Sequence, residues 1–70
     1  MPRFAIACAS LFDNTNQIRF VESSSAAKAL LDFLGSEGYT VEARNPNLEE
    51  LAHLAFNGDM LVCVEELPNV

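Results

Sequence analysis

The chain has seventy residues, half of them hydrophobic, with ten acidic and four basic side chains and a formal charge of −6. That balance argues against nucleic acid as a direct ligand, because phosphate contact needs a clustered Lys/Arg surface; it also argues against an anionic membrane surface. The length suits one domain, residues 1–70, which buries only about 60% of its unfolded surface, so some apolar area is expected to be left for a second copy or a partner.

Met1-Pro2-Arg3-Phe4 runs directly into strand-like alternation, and no run approaches the roughly 20 apolar residues of a membrane helix. Two cysteines, Cys8 and Cys63, are too few for a disulfide framework, and a cytoplasmic location is expected. Phe4 to Phe12 reads as a strand with two apolar faces, hence central; its alanines (Ala5, Ala7, Ala9) suit a closely packed helix. Asp13-Asn14-Thr15-Asn16 is turn chemistry, and Gln17 to Glu22 returns as the second strand of a hairpin.

Ser23-Ser24-Ser25 offers three caps for a first helix, about Ser24 to Glu37. Ser25, Lys28, Asp32 and Ser36 form its one polar stripe, and Ala26, Ala27, Ala29, Leu30, Leu31, Phe33 and Leu34 are all apolar, a wider face than one sheet needs. Ala26, Ala29 and Phe33 on that face are the candidate surface for a second copy. Gly38 is placed to end the helix in the left-handed region. Tyr39, Val41 and Ala43 alternate with Thr40, Glu42 and Arg44, the pattern of a strand with one wet face.

Asn47 with Glu50 resembles a capping box for a second helix, with Asn45-Pro46 as the competing register and Gly58 expected at the left-handed end. Met60 to Val64 is apolar on both faces, the pattern of another central strand, and Glu65 to Val70 reads as a polar tail. The order is therefore ββαβαβ. A parallel crossover in the last three elements gives an α+β two-layer sandwich, a four-stranded mixed sheet with two helices on one face.

No cofactor or metal site is legible, and no enzyme is expected. His53, the one histidine, follows Glu49 by four residues and Glu50 by three, so these three share a wet helix face without further ligands spaced to converge. Cys8 and Cys63 read as small buried hydrophobes, and no base stands near either to make a nucleophile. Gly35, Gly38 and Gly58 are too scattered to cradle a phosphate.

One distribution rises above this background. Residues 45–70 hold Glu49, Glu50, Asp59, Glu65 and Glu66 without a Lys or Arg, while the other five acids are balanced by all four bases. Such a run serves solubility on many proteins; its functional reading is a docking face for a basic protein surface.

In size, charge and lack of any motif, the whole chain resembles the phage-encoded anti-CRISPR proteins. That class has no shared signature from which residues transfer. The resemblance implies an inhibitor in the host cytoplasm that occupies the basic nucleic-acid-binding surface of a CRISPR effector by mimicking DNA charge. The alternative is a homo-oligomeric accessory subunit, a homodimer held through the first helix.

Overall fold

The computed structural model describes residues 1–41 and 44–68. Its elements are β1 (Arg3–Ser10), β2 (Asn16–Glu22), α1 (Ala26–Ser36), α2 (Leu48–Asn57) and β3 (Met60–Glu66). The strands form one antiparallel sheet in the order β2-β1-β3, and this corrects the expected four-stranded mixed sheet.

β1 is central, as its two apolar faces suggest. Opposite it in register stand Val21, Arg19 and Gln17 of β2 and Glu66, Val64 and Val62 of β3, facing Phe4, Ile6 and Cys8. Those three β1 side chains are buried under the helices. The core is completed by Ala29, Leu30, Phe33 and Leu34 of α1 and Leu51 and Ala55 of α2. All of this lies on one side of the sheet. Both helices cover that side, and the other is bare.

Four expectations change. The strand expected over Tyr39 to Arg44 is not seen in its described residues: 39–41 and 44 lie outside any ladder, and 42 and 43 lie outside the described residues. Tyr39 and Val41 still turn toward the core as irregular chain, and this reproduces a period of two without a neighbouring strand to pair with. Without that strand the described residues form no parallel crossover. β3 pairs with β1 alone and is an edge strand, and its apolar outer face (Leu61, Cys63) is exposed rather than covered. Glu65 and Glu66 continue β3, and its ladder is extended when Leu67 donates to the Arg3 carbonyl at 2.8 Å.

The ends of the helices follow local chemistry. Of the three serines, Ser25 is the cap of α1, and its hydroxyl accepts from the Lys28 N–H at 3.1 Å. Gly38 adopts φ 91°, with Gly38 N–H donating to the Gly35 carbonyl and Tyr39 N–H to that of Leu34. This is the paired hydrogen bonding of a Schellman end, which favours a residue without Cβ.

Asn47 caps α2 in the register with Glu50 and not in that of Asn45 and Pro46. Glu50 N–H donates to Asn47 Oδ1 at 2.8 Å and Asn47 N–H to Glu50 Oε1 at 3.2 Å. At the far end the left-handed residue is Asp59 (φ 61°), not Gly58 (φ −97°). Gly58 instead makes room for Tyr39: a Cβ there would sit 2.9 Å from Tyr39 Cε2, so the ring would have to shift.

Candidate functional site

Two surfaces stand out, and they differ in chemistry. The first is the acidic set. Glu49 and Glu50 occupy the first turn of α2, where carboxylates favourably meet the positive end of the helix. Glu50 is engaged in the capping box. Glu49 lies 3.9 Å from His53, with both side chains mostly in water, so that pair adds little.

Asp59 begins the turn into β3, and its carbonyl accepts from Leu11 N–H at 2.7 Å at one end of the sheet. Glu65 and Glu66 lie at the other end of β3, about 20 Å away along a seven-residue strand. They point apart: Glu65 is opposite Ala5 on the bare face, and Glu66 is opposite Phe4 on the helix side. The structure therefore strings the five carboxylates along the molecule instead of gathering them. All five are exposed. Among the described residues none lies within ion-pair distance of a Lys or Arg.

Two of the four cations are engaged on the α1 side. Lys28 pairs with Asp32 at 3.6 Å, one helical turn on. Arg19 reaches from β2 over the ring of buried Phe33, 5.1 Å from its centre, and donates to Ser36 Oγ at 2.8 Å. Phe33 and Ala29 are fully inside the chain's own core and Ala26 is half-buried against it, so the first helix is not a free surface for a second copy. Its wide apolar face is used within the chain, against both the sheet and α2.

The second surface is the bare face of the sheet. Because Phe4, Ile6 and Cys8 point to the core, Arg3, Ala5, Ala7 and Ala9 point the other way, and their cross-strand partners point with them. Ala5 stands between Phe20 and Glu65, Ala7 between Ile18 and Cys63, Ala9 between Asn16 and Leu61. The centre of the face is thus a trough floored by alanine. Its walls are large apolar side chains left in water: Ile18 67%, Phe20 64% and Leu61 47% exposed. A clustered apolar patch of this kind is uncommon on a protein that works alone.

Sequence reading missed this surface, since two apolar faces on a strand look like burial on both sides. The missed signal was the pairing of small with large side chains across the first two strands, which becomes visible only once the register is known. Cys63 is likewise exposed, where burial was expected, because it lies on the bare face of an edge strand. Cys8 is buried, and that burial pushes its thiol pKa up, against a hydrogen bond from Gln17 that lowers it.

The β1–β2 turn holds Asp13 below the usual carboxylate range, chiefly through the Thr15 hydroxyl, which donates to it at 2.8 Å. Asn14 takes the left-handed conformation there. Among the described residues no three His, Cys, Asp or Glu side chains converge to hold a metal ion. No described helix is long and apolar enough to cross a membrane. Compared with protein-family models, curated proteins and solved structures, the chain has no match in any of the three.

Proposed function

We propose that this protein is a small acidic inhibitor that binds the basic nucleic-acid-binding surface of a partner protein, in the manner of the anti-CRISPR proteins it resembles. The observation that carries the reading is the acidic set: five exposed carboxylates without a Lys or Arg partner among the described residues, spread along the molecule. A nucleic-acid backbone also distributes its charge along a line, and a groove evolved to hold it offers cations in a row. A single enzyme pocket would need the opposite arrangement, with carboxylates converging on one point.

The test uses purified CRISPR effector complexes and their target DNA. The wild-type chain should compete with the DNA, and competition should weaken as salt rises, because rim carboxylates act mainly through long-range attraction. Glu49→Lys combined with Glu66→Lys should reduce it, since both side chains project into water and neither shapes the fold. Glu50 is unsuitable for this test, because its carboxylate also caps α2. Wild-type protein that leaves DNA binding untouched at low salt, or a double reversal as potent as wild type, defeats the proposal.

A second reading, a homo-oligomeric subunit, is favoured by a separate observation, the bare apolar sheet face. It does not require an inhibitory role.

A further inference from the structure

We propose that the bare sheet face binds a second copy of this chain, in a two-fold dimer whose axis runs parallel to the strands, between β1 and β2. The cross-strand register is what points to this partner. Along the bare face β1 presents Arg3, Ala5, Ala7 and Ala9, and opposite them β2 presents Glu22, Phe20, Ile18 and Asn16. At each apolar level one strand is small and the other large, and at the end level one is positive and the other negative.

A two-fold axis along the strands keeps the levels and exchanges the strands. β2 of each copy then lies over β1 of the other. Phe20 sits over the partner copy's alanine trough at the level of Ala5, and Ile18 at the level of Ala7. Glu22 meets Arg3 twice, once in each direction. A self-complementary patch of this kind is what an isologous interface needs. Within one chain neither Arg3 nor Glu22 makes an ion pair among the described residues, so both charges are free to pair across the copies.

Other arrangements of the same face fit worse. An axis centred on β1 sets alanine against alanine, leaving a gap, and presses Phe20 against Glu65. An axis across the strands reverses the levels and carries Arg3 and Glu22 away from each other. The offset arrangement instead leaves β3, with Glu65, outside the overlap and in water. Two strands of seven or eight residues stacked about 10 Å from their copies bury on the order of 1,000 Å² in total, the threshold for a specific interface. The dimer is accordingly a reversible one, sensitive to concentration.

Sedimentation equilibrium over a wide concentration range, at low salt, tests this. Wild type is expected to pass from monomer to dimer. Ile18→Lys should stay monomeric while keeping its helical circular dichroism, because residue 18 projects into water in the single chain. Arg3→Glu and Glu22→Arg should each raise the dissociation constant roughly tenfold or more by placing like charges together. Mixed in equal amounts, those two variants should form a heterodimer, since every facing charge is then opposite. A wild type that remains monomeric throughout, a dimer that survives Ile18→Lys, or a mixture that associates no better than its components overturns the proposal.

Discussion

Ile6 and Ile18 are the same residue on adjacent strands, and the structure gives them opposite fates. Ile6 is 0% exposed on the helix side of β1, whereas Ile18 is 67% exposed on the bare side of β2. Truncating Ile6 to alanine removes methyl groups from a packed core, a change that costs about 2–5 kcal/mol. A seventy-residue chain at 0.05–0.15 kcal/mol per residue has about 4–10 kcal/mol in total. Ile6→Ala should therefore remove roughly a fifth of the stability or more and lower Tm by at least about 8 °C. Ile18→Ala keeps the strand and loses a side chain already mostly in water, plus a cross-strand contact worth about 0.2–1 kcal/mol. Urea unfolding followed by circular dichroism measures both, at concentrations low enough that association adds nothing. Equal losses for the two variants would refute the one-sided sheet. A loss at Ile18 that appears only at high protein concentration would instead be the signature of a second copy on that face.

Two other predictions rest on the fold alone. Native protein should expose one fast-reacting thiol, Cys63, while Cys8 reacts only on opening, being buried with a raised pKa; two equal rates, or a fast phase that survives Cys63→Ser, would contradict this. Asn47→Ala should cost about 1 kcal/mol by releasing both arms of the capping box, and Glu50→Ala should add little once Asn47 is gone, so additive losses in a double-mutant cycle would show that the two do not act together.

The sequence was most informative where one residue's own chemistry decides the outcome. Ser25, Gly38 and the Asn47–Glu50 pair end their helices as their side chains require, and tertiary context had little to alter. The central placement of β1 also follows from its residues, since both of its neighbours must lie against small or apolar side chains. Periodicity failed where one pattern has two causes. Tyr39 and Val41 alternate because irregular chain drapes over the core, and among the described residues no strand pairs with them. Met60 to Val64 is apolar on both faces although only one face is core; the other, with Leu61 and Cys63, is left in solvent. The width of the apolar face on α1 had a third cause: a helix wedged between a sheet and a second helix needs two apolar flanks without any partner chain. Distinguishing these causes requires knowing which surfaces meet, and the spacing of residues in one chain does not carry that information.

The two proposed surfaces are physically separable, and this makes their tests independent. Ile18 and Arg3 lie on the bare side of the sheet, whereas Glu49 is on α2 and Glu66 is on the helix side of β3. In the offset dimer both copies of β3 remain outside the overlap, so Asp59, Glu65 and Glu66 stay in water on opposite flanks and the helices face outward. Association therefore doubles the acidic surface instead of consuming it. The net charge of −6 on each chain opposes that association, and added salt weakens the opposition by screening it. The contact between copies is mostly apolar with two ion pairs, so its salt dependence is the balance of two opposed terms. Binding to a basic partner has only the attractive term to lose. The sharp decline of effector binding with salt, set beside a shallow change in dimerisation, would assign each surface its own role.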